Sequence, residues 1–366
     1  MKQGYANRQV KDICTKGSSQ VAQKDLEGLT GDYPIYGASG LIKNVDFYHQ
    51  EKEYIGLVKD GSGIGRVMFL PPKSSVIGTL QYILPKEGYN IRYIGYCLQS
   101  LKLDKYKQGA AIPHIYFKDY GEAQILVADN PDEQQRIVAL LDAEFAKIDA
   151  LKANAEKNLQ NAKDLFQSIL RKTLTPKEDW IACELQDVCT FYNGKPHEND
   201  VDENGKYVLV NSKFISSDMT ISKRVCNQLF PLFIDDIVMV MSDVPNGKAL
   251  AKCQIIDTDN LYTLNQRICV FRDAKLNVRF LYYLINRNPF LLAFNNGENQ
   301  TNLRKNDIVT MPIRFPQKNV EILGIVDRLD ALKEKCKLLQ ANYEKTLSLC
   351  DDLKQALLRK AFNGEI

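Results

Sequence analysis

The chain has 366 residues, is 45% hydrophobic and 25% charged, and carries a formal charge of +3 at pH 7. That composition fits a folded protein of two or three domains and excludes a disordered or collagenous chain. No apolar run approaches the ~18 residues needed to span a bilayer, and the start "MKQGYANRQVKDICTKG" has no apolar signal core, so a cytoplasmic location is expected.

The nine cysteines include no C-x-x-C pair and the three histidines are scattered, which predicts reduced thiols and no metal site. His49 and His114 are expected to satisfy local hydrogen bonds. The charge surplus falls in residues 1–131, with 16 basic against 13 acidic side chains. A nucleic-acid partner is therefore not implied by charge alone, and any such binding would share its electrostatics with another subunit.

In chain order, residues 1–131 read as a first mixed α/β globule, with short β-branched and aromatic runs such as "SVIGTLQYIL" between Gly, Pro and Asn turns and a helix near 92–101. Residues 132–175 read as one long helix. Asn130 is placed to cap it, Pro131 suits its first turn, Asp132 and Glu133 face the positive end of its dipole, and Pro176 stops it. Residues 176–318 read as a second globule with strands such as "RICVF" and a helix near 278–287, and residues 319–366 as a second long helix with Gly364 at its end. A helix of that length spans on the order of 64 Å.

The two helices are copies. Shifted by 188, residues 133–174 and 321–362 agree at 19 of 42 positions without a gap. Apolar residues recur at nearly the coiled-coil period. The expected seam is Ile137, Leu141, Ile148, Leu151, Leu159 and Ile169 against Ile325, Leu329, Leu339, Leu347 and Leu357. Matching seams predict that the helices pack on each other antiparallel. The repeat extends faintly outward: "VKDIC" with "LQDVC", "YPIYG" with "YVLVN", "IGLVKDGSGIGRV" with "VMVMSDVPNGKAL", and "TLQYI" with "TLNQRI". The fold class expected is α+β: two similar mixed α/β globules separated by two long antiparallel coiled-coil helices, with a pseudo-two-fold internal repeat.

Motifs for chemistry are missing. No Walker-type loop, amino-methyltransferase tetrad or nuclease core is present, and three dispersed histidines leave little for a catalytic triad. "DGSGIG" at 60–65 reads better as a strand–turn–strand corner than as a phosphate cradle, because its counterpart "DVPNG" keeps the shape and loses the glycines.

The plan resembles the DNA-specificity subunit of a type I restriction–modification enzyme. The resemblance is carried by "VKDIC" and "LQDVC", "YPIYGASGLI", "DGSGIGRV", "GAAIPHI", "DEQQRIVALLDA", and the helix ends "LRKTL" and "LRKAF". It implies two target-recognition domains and two spacer helices in a non-enzymatic subunit. Two methyltransferase subunits binding S-adenosylmethionine, and ATP-driven restriction subunits, would do the chemistry. The partner would be double-stranded DNA, read at a bipartite, asymmetric site. The second helix departs from the pattern, with "EILG" where the first has "EQQR", so an irregular first turn is expected.

On that reading the candidate DNA contacts of the first globule are Tyr36, Ser39, Lys43, Lys59, Asp60, Ser62, Arg66, Gln81 and Tyr82. Those of the second are Asn211, Lys213, Ser242, Asp243, Asn246, Lys248, Asn265, Gln266 and Arg267, with Asn299, Gln300 and Asn302. The competing readings are a coiled-coil adaptor with two protein-binding heads and a self-contained enzyme.

Overall fold

A computed structural model describes residues 4–109, 112–197, 200–245, 247–295 and 297–366. They form two compact units, one running through Leu159 and including Ala341–Ile366, the other Gln160–Gln340. Each unit thus holds one globule with a segment of each long helix.

The first unit contains β1 (Tyr5–Gln9), α1 (Val10–Ile13), β2 (Cys14–Ser18), β3 (Tyr33–Gly37), β4 (Gly40–Val45), β5 (Tyr54–Val58), β6 (Val67–Leu70), β7 (Ser75–Val76), β8 (Leu80–Pro85), α2 (Ile91–Ser100), α3 (Phe117–Tyr120) and β9 (Gln124–Ala128). Helix α4 (Pro131–Thr173) then begins. The second unit contains β10 (Ile181–Glu184), β11 (Thr190–Asn193), β12 (Tyr207–Val210), α5 (Ser212–Ser216), β13 (Lys223–Val225), β14 (Ile237–Val240), β15 (Ser242–Asp243), β16 (Cys253–Ile255), β17 (Tyr262–Leu264), β18 (Ile268–Arg272), α6 (Val278–Ile285), α7 (Pro289–Leu292), β19 (Thr301–Asn302), α8 (Lys305–Val309) and β20 (Pro312–Phe315). Helix α9 (Asn319–Phe362) closes the chain.

The strand orders match. The first unit has β2-β8-β5-β6, β4-β3-β7 and β1-β9; the second has β11-β18-β14-β16, β13-β12-β17 and β10-β20. In both three-stranded sheets one pair is parallel, β3 with β7 and β12 with β17. The repeated "DIC" and "DVC" segments do the same local work. Asp12 accepts the Gln9 N–H and the Cys14 thiol donates to Val10 O; Asp187 accepts the Glu184 N–H and the Cys189 thiol donates to Leu185 O.

Register corrects two of the sequence pairings. Val58 lies opposite Leu80, and Val240 opposite Ile268. Val58 N–H also bonds Arg66 O just as Val240 N–H bonds Lys252 O. The equivalence is therefore Asp60 with Ser242, not Asp243. Likewise Thr79 matches Arg267, so "TLQYI" does not match "TLNQRI". The shared Asp and Thr letters are coincidences one and four places out of register; cross-strand hydrogen bonds decide the true match.

Each short amphipathic helix fills a core against its long-helix segments. In the first unit Tyr93, Ile94, Cys97 and Leu98 of α2 join Ile137, Leu141, Phe145 and Ile148 of α4 and Cys350, Leu358 and Phe362 of α9. Asp149 bonds Lys354 at 2.5 Å while Lys152 bonds Asp351 at 2.7 Å, so the two helices run antiparallel. In the second unit Phe280 and Tyr283 of α6 join Leu170 of α4, Trp180, and Ile322, Ile325, Val326 and Leu329 of α9.

The expected seam needs correction at two positions. Leu151 and Leu339 are 50% and 40% exposed. From Ile148 the inward stripe steps through half-buried Lys152 to buried Ala155; from Cys336 it steps through half-buried Gln340 to Tyr343. These positions keep the 4-3 spacing of a coiled coil, whereas the neighbouring leucines break it. Lys152 can lie there because its stem covers apolar surface while its ammonium reaches Asp351. Ile137, Leu141, Ile148, Ile325 and Leu329 are buried, and Leu159, Ile169, Leu347 and Leu357 are half-buried.

The start of α9 is regular, contrary to expectation. Gln134 is fully buried and ties the start of α4 by donating to Ala128 O and Gly88 O and accepting from Asn90 N. Ile322, 4% exposed, occupies the same place in α9, substituting apolar burial for the polar tie. The helix ends as expected at Gly364, with φ +74°. Gly364 N–H bonds Ala361 O and Glu365 N–H bonds Lys360 O, the two bonds of a Schellman cap.

Candidate nucleic-acid interface

The polar loops meet at the corner that follows β5 in one unit and β14 in the other. In the first, Lys59 and Asp60 N–H groups bond Thr79 O, Gly61 N–H bonds Pro113 O, and Ile115 N–H bonds Lys59 O. The corner is thereby joined to Thr79 just before β8 and to the described residues of the 102–118 stretch. His114 donates through Nδ1 to Asp60 Oδ1 at 2.7 Å, and Lys59 Nζ reaches Asp60 Oδ2 at 2.7 Å. Arg66 is exposed and bonds Ala38 O at 2.8 Å, bringing in the β3–β4 turn that carries exposed Ser39; Ser62 is exposed at the corner itself. The joined stretch adds exposed Lys102, Lys105, Lys107 and Lys118, with Lys105 over Tyr106 and Lys118 over Tyr116. These are cations and aromatic faces, the residue types that meet phosphates and bases.

The second unit uses the same frame. Met241 N–H bonds Arg267 O, Leu303 N–H bonds Met241 O, and β15 pairs with β19 through Ser242–Asn302 and Asp243–Thr301. Gln300 Nε2 donates to Ser242 Oγ at 2.8 Å. Lys213, Lys248, Gln266, Arg267, Asn299, Gln300 and Asn302 are exposed. Lys252, not Lys248, is the counterpart of Arg66, and its ammonium reaches Ser216 O at 2.9 Å. The residue before each takes positive φ, +80° at Gly65 and +55° at Ala251, so the corner shape and not phosphate binding asks for glycine there.

Several candidates are placed elsewhere. Gln81 and Tyr82 are 3% and 2% exposed. Gln81 donates to Tyr120 Oη, and Tyr82 Oη accepts the Val76 N–H at 3.1 Å. Both belong to the interior because β8 is covered on both faces. Ser242 is 8% exposed beneath Gln300. Asp243 spends its carboxylate on the N–H groups of Val244, Ala249 and Leu250, which shapes the loop. Asn211 caps α5 through the Phe214 N–H at 2.9 Å. Lys43 is half-buried on Leu26 O, Tyr36 is half-buried on β3, and half-buried Asn265 has its Oδ1 covered. Asn246 lies outside the described residues. Lys252 is absent from the sequence candidates, and His114 makes the local hydrogen bond expected of it, to Asp60.

Each unit also has a cleft where its short helix meets a long helix. One of about 630 Å³ is lined by Phe69, Arg92, Tyr96, Asp142 and Phe145; the other, about 240 Å³, by Ile255, Arg279, Tyr283, Asp330 and Lys333. Among the described residues no cluster of His, Cys, Asp and Glu could hold a metal ion, and no helix is long and apolar enough to cross a membrane.

Two units of one topology, sharing two long helices and presenting matched polar corners, define a class of internally duplicated proteins with twin heads. The family described as "Type I restriction modification DNA specificity domain" matches twice, at residues 2–161 and 177–341, and the chain belongs to that family. It is 25% identical over 189 residues to the type I restriction enzyme EcoDI specificity subunit of Escherichia coli, a match spanning 51% of this chain and 39% of that relative's length. A chain from a solved structure on complex assembly and conformational transition of the type I R-M system is similar at a TM-score of 0.78, with 14% identity and coverage of 100% and 99%. The HsdS subunit from Thermoanaerobacter tengcongensis is similar at 0.54, with 14% identity and coverage of 100% and 98%. At these identities the structural likeness concerns the fold.

Proposed function

We propose that this chain is the sequence-reading subunit of a type I restriction–modification assembly. It binds double-stranded DNA at two separate half-sites, one per unit, with a spacing set by the helix pair. It performs no chemistry. Two methyltransferase subunits carrying S-adenosylmethionine methylate adenines at the chosen site, and ATP-dependent restriction subunits join the same assembly.

One observation carries the reading: the same strand order and register in the three sheets common to the two units, with different polar residues at matched corner positions. Asp60 stands where Ser242 does, Thr79 where Arg267 does, and Arg66 where Lys252 does. A common frame with different side chains is what reading two different base sequences requires, since phosphate contacts position a protein and base-edge contacts specify the site. The weak net charge of +3 fits a subunit that shares phosphate contacts with partners.

The test is the adenine methylome of a cell with and without the gene. Expected is a gene-dependent motif of two short, different half-sites at a fixed gap. If no methylation changes while the chain retains protein partners, the adaptor reading replaces this one.

A further inference from the structure

Positions 114 and 302 are matched by backbone contacts rather than by residue type. His114 bridges to Asp60 and Asn302 pairs with Ser242. The next residue in each case, Ile115 or Leu303, donates its N–H to the carbonyl of the residue before the partner, Lys59 or Met241. Both side chains therefore stand over the same point of the corner, 188 positions apart in sequence.

Their chemistry differs. His114 is hydrogen-bonded to the Asp60 carboxylate through Nδ1 at 2.7 Å. A carboxylate only accepts, so Nδ1 carries the proton, and in the neutral form of the ring Nε2 is the acceptor. Among the described residues no hydrogen bond reaches Nε2, the side chain is 36% exposed, and the ring stacks at 24° on Tyr116. Asn302 is exposed, with Gln300 Nε2 leaning on its Oδ1 at 3.4 Å. It offers an amide, donor and acceptor in one plane.

We infer that residues 114 and 302 are matched base-reading positions, one for each half-site. His114 accepts through Nε2 from the exocyclic amino group of adenine or cytosine in the major groove, and Asn302 pairs its carboxamide with an adenine edge. Asp60 is a positioning residue that sets the imidazole tautomer. This deepens the proposed function and rests on it.

The experiment is methylome sequencing of cells carrying the intact assembly with the wild-type chain, His114→Ala, His114→Asn, Asp60→Asn or Asn302→Ala. The two residue-114 variants should relax or switch one letter of one half-site, with discrimination at that letter falling roughly 5- to 150-fold. Asp60→Asn should broaden the same letter. Asn302→Ala should relax one letter of the other half-site, and the gap should stay unchanged throughout. Unchanged letters in the residue-114 variants overturn the inference, and so does loss of methylation at every site with both of them, which would make His114 a structural tie. If the wild-type chain directs no bipartite methylation at all, the proposed function fails instead, so the two failures are told apart.

Discussion

Asp142 and Asp330, 188 positions apart, make the same tie in the two units. Asp142 accepts from Tyr96 Oη and, at 2.6 Å, from Arg92; Asp330 accepts from Tyr283 Oη and Arg279, each at 2.5 Å. Each aspartate sits on a long helix and each Arg–Tyr pair on the short helix packed beside it. The "LDA" letters shared by the two copies thus preserve a joint between helix and globule.

Asp142→Asn and Asp330→Asn should each lower unfolding free energy by about 1 kcal/mol. Hydrogen bonds to a charged group contribute roughly 1.5–3 kcal/mol, discounted here for solvent screening. The discount is needed because the Arg92 and Arg279 side chains are 44% and 65% exposed. Urea midpoints of the two single variants and the double variant check this; no shift in either single variant would show that the tie contributes nothing.

Stability should fall in alkali. Burial, reinforced by hydrogen bonds to Glu133, Asp142 and Asp257, raises Tyr5, Tyr96 and Tyr262 from an ordinary value of 10.0 to about 12. The unfolded chain releases these protons first, so it binds fewer protons than the folded chain between the two values, and stability declines there with rising pH. The stabilisation is fully present below pH 10 and is lost as pH climbs toward 12. Urea unfolding at stepped pH, alongside the tyrosinate absorbance band, measures it; a flat profile through that window contradicts the assignment.

Inserting four residues into each long helix, within Ala155–Ala162 and at the matching place in α9, should lengthen each by about 6 Å. If helix length sets the gap, the methylated motif should widen by about one or two base pairs at 3.4 Å each. The half-site letters should not change. Altered letters at an unchanged gap would count against the helices as a spacer.

Much of the plan was legible in one dimension. The gapless 188-residue offset, the cap signals around Pro131 and Gly364, and the runs near 92–101 and 278–287 all mark helices, whose hydrogen bonds are local; the two short ones form at Ile91–Ser100 and Val278–Ile285. The corners were legible as places and not as side chains. Gln81 and Tyr82 alternate along β8 and would face opposite ways on an exposed strand, but β8 lies inside its sheet between β2 and β5 and both faces are covered.

The duplication, the two long helices, and the position of a strand-rich globule ahead of each helix could all be read from the sequence alone. A helix is written in the spacing of neighbouring residues, and a gapless copy can be read by sliding one segment along another. That Asp60 answers to Ser242 and His114 to Asn302, and that Lys152 and Gln340 take the seam from Leu151 and Leu339, emerged from the folded chain. Strand register and seam membership are set by hydrogen bonds and packing between distant segments, and a one-residue slip that leaves the letters looking alike moves every side chain to the other face.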